Sequence, residues 1–330
     1  MIVRTLGDLM SPTTTADTLL PVGVIGLGDI AQKAYLPVLA GLPGLDLRLM
    51  TRDRAKLDRL GDAYRVGPEH RFTNLAELID SGIRAAFVHA STSQHVPIVE
   101  QLLMAGIDVY VDKPLAYTLD GARHLVELAE QRGRSLMVGF NRRHAPGYVE
   151  ASEHPRDLIV LRKNRVDLAE APRTMIFDDL IHIVDTLVYL APGEIDHVDV
   201  RARRRGGLLE HVVLTLAGDG FTALGIGDRA SGSTDEVLEV SGGNRQLTVM
   251  NLAEVIDHQG GAHMVRRRGD WTPVARQRGI EQVVLTFLDA IRSGRKLDAR
   301  EALRTHELCE QIVQAVEAEV GIGVAGGQVG

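Results

Sequence analysis

The chain has 330 residues, of which 45% are hydrophobic and 25% charged, and its mean hydropathy is −0.01. This composition is typical of a globular protein with two separate cores, and it excludes the disordered class. No stretch approaches the roughly 20 apolar residues that a membrane-spanning helix requires. The formal net charge of −7 argues against a nucleic-acid interface, since phosphate binding depends on concentrated Lys and Arg.

A single cysteine, Cys309, excludes an intrachain disulfide and a thiolate metal cluster. It favours a reducing compartment, so we expect a cytoplasmic protein without a metal site. Residues 1–20 are rich in Thr and lack the apolar run of a signal peptide, which predicts a flexible extension, with Met10 as an alternative start of translation. Residues 21–141 are expected to form a dinucleotide-binding domain, and residues 142–330 an α+β domain for substrate binding and oligomerisation.

The first predicted unit is a strand, a glycine-rich turn and a helix. Residues 21–25 are apolar, Gly26-x-Gly28-x-x-Ala31 follows, and helical spacing of apolar residues comes next. In the dinucleotide-binding fingerprint the glycines allow a tight turn and close approach of a pyrophosphate, and the small third residue lets helix and strand pack closely. The helix amino terminus then faces the phosphates. We expect Gly26, Gly28, Asp29, Ile30 and Ala31 to contact the cofactor, with a glycine turn of another α/β protein as the alternative.

The second strand, residues 45–50, should end near the adenosine ribose. NAD-preferring enzymes commonly place an acidic side chain there, whereas this chain has Thr51-Arg52-Asp53. A hydroxyl followed by a guanidinium suits a 2'-phosphate, because Arg pairs with phosphate in bidentate fashion. We therefore expect NADP to be favoured over NAD. The alternative is that Asp53 caps the following helix and Arg52 lies in solvent.

Further strand-helix units predict a doubly wound parallel sheet. The expected strands are residues 85–90, 108–111 and 135–140, and the expected helices are residues 74–80, 97–105 and 119–131. The loop after the first of these strands contains Ser91, Thr92 and His95, which are candidate cofactor contacts. Capping of the next helix is the commoner role for a histidine placed like His95.

A lysine follows the strand at residues 108–111, in the sequence Asp112-Lys113-Pro114. The carboxyl ends of parallel strands meet at the crevice where such folds bind ligands, so the Lys113 ammonium can reach a substrate beside the cofactor. Asn141 and Arg142 follow the sixth strand near the same crevice. They are candidate substrate contacts, and solvent-facing linker residues are an equally good interpretation.

Strands predominate in the second half, and Gly-containing turns join several of them. They predict one largely antiparallel open sheet whose face covers the cofactor crevice. The expected strands are residues 158–166, 195–202, 208–216, 221–227, 237–240 and 246–250. Helices over residues 281–293 and 299–320 are expected to close this domain.

A polar series opens a predicted helix that runs towards residue 190. Asp178, His182 and Asp185 are spaced i, i+4 and i+7, so we expect them on one helical face. Polar groups at this spacing are unusual on an otherwise apolar helix. The alternatives are that Asp178 or Asp179 is an N-cap and that His182 is a hydrogen-bonded core residue.

Together, these motifs resemble those of the Gfo/Idh/MocA oxidoreductases, over about residues 22–320. The resemblance rests on Gly26-x-Gly28-x-x-Ala31, on Asp112-Lys113-Pro114 and on Asp178-x-x-x-His182. Further local likeness, in residues 28–34 and 138–143 and in the doubled Asp178-Asp179, points to a bacterial subgroup known mainly as uncharacterised oxidoreductases and virulence-factor homologues. The resemblance implies a Rossmann domain, an α+β domain and hydride transfer between nicotinamide and a secondary alcohol or ketone of a sugar, polyol or related cyclic substrate.

The resemblance also implies roles for single residues. Lys113, Asp178 and His182 take the catalytic positions and also contact substrate, while Asp112, Lys113 and Pro114 adjoin the cofactor. His182 is expected to be the general base in oxidation and the acid in reduction, with an unperturbed pKa near 6.5. Lys113 is expected to donate to the reacting oxygen, and Asp178 to orient Lys113 or His182. Two departures are Asp112, where Glu is commoner, and Leu180, where many members carry Gly, so sugar specificity is not inherited.

Two other functions are compatible with these residues. One is a regulatory protein that senses dinucleotide without chemistry, against which the retention of Lys113 and His182 argues. The other is NAD-assisted cleavage of a glycosidic bond. A small-molecule substrate is the expected partner, without nucleic acid or membrane, and the resemblance implies a homodimer or homotetramer. The basic runs at residues 201–205 and 266–268 are expected to be solvated faces or subunit contacts.

Overall fold

The computed structural model describes residues 19–318. Its first half contains a sheet of six parallel strands in the spatial order β3-β2-β1-β4-β5-β6. The strands are β1 (Leu20–Ile25), β2 (Leu45–Met50), β3 (Arg71–Phe72), β4 (Ala85–Val88), β5 (Asp108–Val111) and β6 (Leu136–Val138). The chain winds outwards from β1 in both directions, which confirms the predicted doubly wound sheet. The two-residue β3 was not predicted, because so short a strand has no measurable alternation.

Helices cover both faces of this sheet, so every residue of β4 and β5 is buried. The helices are α1 (Leu36–Leu39), α2 (Arg54–Ala63), α3 (Leu75–Asp80), α4 (His95–Met104) and α5 (Leu119–Arg132). Three of them begin at side-chain caps: Asp53, Asn74 and Thr118 each accept from a backbone N–H three residues later. Gly133, in the left-handed region with φ +59°, ends α5.

The second half contains an eight-stranded sheet in the order β14-β13-β12-β11-β7-β10-β9-β8. The strands are β7 (Leu158–Asn164), β8 (His197–Arg205), β9 (Leu208–Gly218), β10 (Phe221–Asp228), β11 (Glu236–Gly242), β12 (Arg245–Met250), β13 (Glu254–Gln259) and β14 (Ala262–Arg267). All pairs are antiparallel except β7 with β10. The largely antiparallel open sheet is therefore confirmed.

Strands β13 and β14 were not predicted. No residue of either is buried, so their sequences lack the alternation that a half-buried strand produces. The two basic runs fall mainly on β8 and β14, the edge strands of the sheet. Charged side chains on an edge strand oppose pairing with another chain.

The remaining helices connect the two sheets. They are α6 (Pro146–Glu153), α7 (Pro172–Met175), α8 (Ile181–Leu190), α9 (Val274–Gln277), α10 (Ile280–Ser293) and α11 (Arg300–Ala318). The helix expected to close the second domain, α10, packs instead on the parallel sheet, where the Phe287 ring lies 5.2 Å from that of Phe87. No helix within residues 19–318 is long and apolar enough to cross a membrane.

The polar series near residue 180 lies inside a helical path, not at its start. A π-helical turn, Ile176–Leu180, joins α7 to α8, so neither Asp178 nor Asp179 is an N-cap. The wide turn interrupts the α-helical spacing between Asp178 and the residues of α8, whereas His182 and Asp185 both lie within α8, three residues apart. Asp185 is buried, where it accepts hydrogen bonds from Arg143 and Thr305.

Candidate active site

Two cavities adjoin at the carboxyl ends of the parallel strands. The first, the glycine-turn cavity, has a volume of about 380 Å³. The second, the lysine cavity, has a volume of about 420 Å³ and lies between the parallel sheet and the second sheet. Ala90, just after β4, lines both. A ligand could therefore extend from one cavity into the other.

The glycine-turn cavity is shaped mainly by backbone and small or apolar side chains. Its lining is Ile25, Gly26, Leu27, Gly28, Met50, Thr51, Arg52, Lys56, Leu75, His89, Ala90, Ser91, Gln94, Pro97, Ile98 and Gln101. Gly26 has φ +83°, and a Cβ there would lie 2.5 Å from the Ala90 nitrogen. A Cβ on Gly28 would meet nothing within 4 Å. The turn thus needs glycine at 26 and leaves open space beside 28, as close approach of a pyrophosphate requires.

The other three residues predicted to contact the cofactor at this turn, Asp29, Ile30 and Ala31, differ in exposure and in which cavity they line. Ala31 is fully buried beneath the turn. Ile30 is exposed and lines the lysine cavity. The exposed Asp29 side chain pairs with Lys33 and lines neither cavity, so its side chain is not brought to the site.

The far end of the glycine-turn cavity is cationic. Thr51, Arg52 and Lys56 line it, and no Asp or Glu does. Asp53 accepts a hydrogen bond from the Lys56 backbone N–H at 3.0 Å, so it is the N-cap of α2. Arg52 is exposed and makes no hydrogen bond or ion pair within residues 19–318.

The loop after β4 spans both cavities. Ser91 lines the glycine-turn cavity, and Thr92 and His95 line the lysine cavity. His95 is buried, with Nδ1 2.8 Å from the Pro114 carbonyl oxygen and Nε2 3.0 Å from that of Ala90. Burial lowers the pKa of His95, although both carbonyls favour protonation. His95 therefore ties this loop to the loop that carries Lys113, and the buried Pro114 supplies the acceptor.

The lysine cavity contains most of the remaining predicted site residues. Its lining is Ile30, Tyr35, Ala90, Thr92, His95, Asp112, Lys113, Gly139, Asn141, Arg142, Lys163, Arg165, Asp178, Asp179, His182, Arg278 and Ile280. Lys113 Nζ donates to the Asp178 backbone oxygen at 2.6 Å. Burial lowers the pKa of Lys113, and the Asp178 and Asp112 carboxylates counteract part of that effect.

The Asp178 carboxylate contacts Tyr117, which the sequence did not indicate as a site residue. The Tyr117 hydroxyl lies 2.9 Å from both carboxylate oxygens, and no hydrogen bond joins that carboxylate to His182 or to the Lys113 ammonium in the described part of the chain. Burial, followed by the bond to Asp178, raises the pKa of Tyr117. Asp178 therefore acts on Lys113 through its backbone oxygen and its charge, and of the two residues that it was expected to orient, Lys113 and His182, it contacts Lys113.

His182 is half-buried, and neither ring nitrogen has a hydrogen-bond partner among residues 19–318. Burial lowers its pKa well below 6.5, and the cations Arg142, Lys163 and Lys113 lower it further. The expectation of an unperturbed pKa is wrong. At neutral pH the ring is uncharged, and one nitrogen is free to accept a proton.

Asp112 lies beneath Lys113 at the end of β5. Its carboxylate is 2.7 Å from Nδ1 of His89. The His89 ring is tilted by 37° against the Tyr35 ring, with 4.1 Å between their centroids. The shorter Asp side chain at this position therefore has a histidine partner within the first domain. The sequence did not indicate His89, because its contact with Asp112 depends on the pairing of β4 with β5.

Charge pairs join the second sheet to the turn after β6 and to the π-helical turn, and they form one wall of the lysine cavity. Arg142 donates to both oxygens of Glu236, at 2.8 and 2.7 Å, and Tyr148 donates to the same carboxylate. Burial disfavours the charged carboxylate, but Arg142 outweighs it and holds the pKa of Glu236 at about 2. Lys163 donates to Asp179, and burial lowers the pKa of Lys163 to about 7. None of these partners of Arg142 and Asp179 was predicted.

Asn141 has a structural contact at the rim. Its side-chain nitrogen donates to the Arg278 backbone oxygen at 2.6 Å. Arg278 precedes α10 and lines the lysine cavity, as does Arg165 after β7. Neither residue carries a sequence signal, because each belongs to a loop whose position depends on long-range packing.

Comparison with known proteins agrees with this geometry. Residues 20–140 match the model of the oxidoreductase family with an NAD-binding Rossmann fold. The chain is 35% identical over 289 residues to the Salmonella typhimurium protein named "Putative oxidoreductase YceM", covering 83% of this chain and 90% of that one. It is 34% identical over 196 residues to inositol 2-dehydrogenase of Paracoccus denitrificans, covering 55% of this chain and 56% of that one.

A solved structure extends the match to both domains. The Gfo/Idh/MocA family oxidoreductase from Vibrio cholerae superimposes with a TM-score of 0.86 at 31% identity, covering 92% of this chain and all of that one. The similarity thus includes the second sheet, which the family model does not reach. The chain belongs to the Gfo/Idh/MocA family of NAD-binding oxidoreductases.

Proposed function

We propose that the protein is an NADP-preferring oxidoreductase that transfers a hydride between nicotinamide and a secondary alcohol or ketone of a sugar, polyol or related cyclic substrate. The observation that carries this proposal is the convergence of Lys113, Asp178 and His182 on one cavity that adjoins the glycine turn. The inositol 2-dehydrogenase relative supports the class of substrate. The cationic end of the glycine-turn cavity, formed by Arg52 and Lys56 without a carboxylate, supports the preference for NADP.

The roles of the residues follow from their protonation states. A bound nicotinamide accepts or supplies the hydride. Neutral His182 accepts the hydroxyl proton during oxidation, and its low pKa makes the protonated ring a strong acid for the reverse step. Lys113 donates a hydrogen bond to the reacting oxygen and stabilises its developing negative charge. The Asp178 backbone oxygen, 2.6 Å from Nζ, fixes the direction of that ammonium.

We also infer an assembly and a compartment. The outer face of the second sheet carries half-buried apolar residues, such as Leu224 and Ile226 of β10, which supports a homodimer or homotetramer through that face. The buried, unpaired Cys309 supports the cytoplasm as the compartment. Light scattering of the purified protein tests the assembly, and a monomeric mass would contradict it.

The test of the reaction is a turnover screen. The purified protein is supplied with NADP⁺ or NADPH and with polyols, cyclitols, aldoses and keto-sugars, and the absorbance of reduced nicotinamide is followed. We expect turnover with at least one compound, and loss of that turnover in His182→Ala. Dinucleotide binding without turnover on any compound would favour a sensing role, and cleavage of a glycoside with recycled cofactor would favour NAD-assisted elimination.

A further inference from the structure

Three arginine side chains line the lysine cavity. Arg142 comes from the turn after β6, Arg165 from the end of β7 and Arg278 from the segment before α10. Arg142 is neutralised by its two hydrogen bonds to Glu236. The other two guanidiniums differ from it in having no such partner.

The charges of Arg165 and Arg278 are not balanced locally. The carboxylate nearest to Arg165 is Asp179, at 4.0 Å, and that group already pairs with Lys163 and Arg229. Arg278 has no carboxylate within 4.0 Å in the described part of the chain. Both side chains are half-buried, so solvent screens them only in part.

The position of Arg278 is fixed by its backbone. Gly279, the next residue, has φ +78°, and a Cβ there would lie 2.1 Å from the Asn141 carbonyl oxygen. The Asn141 side-chain amide also donates a hydrogen bond to the Arg278 backbone oxygen. The loop 141–145 and the start of α10 therefore pack too closely for any side chain at 279, and Arg278 is presented to the cavity by a close junction between them.

An unpaired, half-buried guanidinium is costly, because it cannot give up its charge near neutral pH. Burial and the charge of Arg142 lower the pKa of Arg278, yet an arginine remains protonated. A bound anion would remove this cost and would gain bidentate hydrogen bonds. A neutral polyol would leave the charge of Arg278 without a counterion.

We propose that the substrate carries an anionic group, a carboxylate or a phosphate, which Arg278 and Arg165 bind while its hydroxyl or keto carbon lies at Lys113 and His182. This inference rests on the proposed function and narrows its substrate class to sugar or polyol acids and phosphates. It also assigns Asn141 a positioning role, because that side chain holds the Arg278 backbone.

The test compares three open-chain probes: sorbitol, gluconate, in which a carboxylate replaces one terminal alcohol, and sorbitol 6-phosphate. The protein is saturated with NADPH at constant ionic strength, and the thermal midpoint is followed against probe concentration. A ligand that binds the native state raises the midpoint by an amount that grows with the logarithm of its concentration divided by its dissociation constant. We expect at least one anionic probe to bind at least tenfold more tightly than sorbitol. Gluconate and sorbitol 6-phosphate distinguish a carboxylate from a phosphate.

Variants then identify the side chain responsible. Arg278→Gln should reduce binding of the preferred anion at least tenfold and leave sorbitol unchanged, while Arg278→Lys should retain part of it. Arg276→Gln, two residues earlier and outside the cavity, is the matched control and should behave as wild type. Equal binding of all three probes, no binding by either anion, or an unchanged preference in Arg278→Gln would each overturn the inference.

The same titration separates this inference from the proposed function. NADPH alone should raise the midpoint of the wild-type protein and of Arg278→Gln equally. If NADPH does not bind, the proposed function fails. If NADPH binds and the anions gain nothing over sorbitol, only the anionic substrate class fails.

Discussion

The two cavities that adjoin at Ala90 are built in different ways. The glycine-turn cavity owes its shape to backbone: Gly26 occupies the left-handed region against Ala90, and Gly28 leaves open space beside it. The lysine cavity owes its character to side-chain charges, several of them paired across domains or between distant strands, as with Arg142 and Glu236. The first therefore depends on local conformation, and the second on long-range electrostatics.

The difference indicates what each cavity can do. Backbone donors and a tight turn recognise a group shared by all dinucleotides, the pyrophosphate. Side chains held by charge pairs can set the pKa of a base, as the cations around His182 do, and can select a substrate. Substitutions in the lysine cavity should therefore have little effect on dinucleotide binding, and substitutions in the glycine-turn cavity should have little effect on proton transfer and substrate selection.

Lys113→Met should cause the largest loss of turnover, and it should distinguish most clearly between chemistry in the lysine cavity and cofactor binding in the glycine-turn cavity. Removing a hydrogen-bond donor from a developing oxyanion costs about 10²- to 10³-fold in kcat, and we expect a loss of at least that size. The dissociation constant for NADPH should stay close to the wild-type value. Steady-state kinetics and a fluorescence titration check the two parts, and preserved turnover would refute the role of Lys113.

Glu236→Gln should remove the charge pair between Glu236 and Arg142 and lower the stability of the protein. It leaves the buried Arg142 without its charge partner, and loss of one member of a buried pair costs about 3–5 kcal/mol of unfolding free energy. Glu239→Gln on the same strand is the control, because Glu239 is half-buried and makes no ion pair in the described structure. Urea unfolding measures both, and equal stabilities would show that the wall does not depend on this pair.

Arg52→Ala should affect the Michaelis constants for NADPH and NADH differently. Loss of a charged hydrogen bond to a 2'-phosphate costs about 1.5–3 kcal/mol, so the Michaelis constant for NADPH should rise about 10- to 100-fold, while that for NADH changes little. Arg54→Ala is the matched control, since Arg54 pairs with Asp58 outside the cavity. An equal effect of Arg52→Ala on both cofactors would rule out the NADP preference.

The pH profile should show the smallest effect. A base must be unprotonated, so oxidation falls as pH drops through the pKa of His182. Because burial and nearby cations hold that pKa well below 6.5, kcat/KM for alcohol oxidation should stay constant from pH 7 to 6.5 and decline only at lower pH. An acidic limb centred near 6.5 would mean that His182 is exposed to water when it acts.

Local sequence predicted the parts of the molecule that depend on local conformation. The parallel sheet, the turn at Gly26 and the cap at Asp53 each follow from a few neighbouring residues. The partners of Asp178 and Arg142, namely Tyr117 and Glu236, lie 61 and 94 residues away. No local pattern encodes such contacts, and none indicated the π-helical turn at Ile176–Leu180.

The central claim, that the glycine-turn cavity holds a dinucleotide for chemistry in the lysine cavity, is tested most directly by titrating the purified protein with NADPH and NADH. Fluorescence and thermal stability are followed for each cofactor, together with acid extraction of untreated protein to detect a cofactor that is already bound. We predict that both bind, NADPH more tightly, or that extraction releases a nicotinamide dinucleotide. Binding of neither, with no dinucleotide in the extract, would contradict the account.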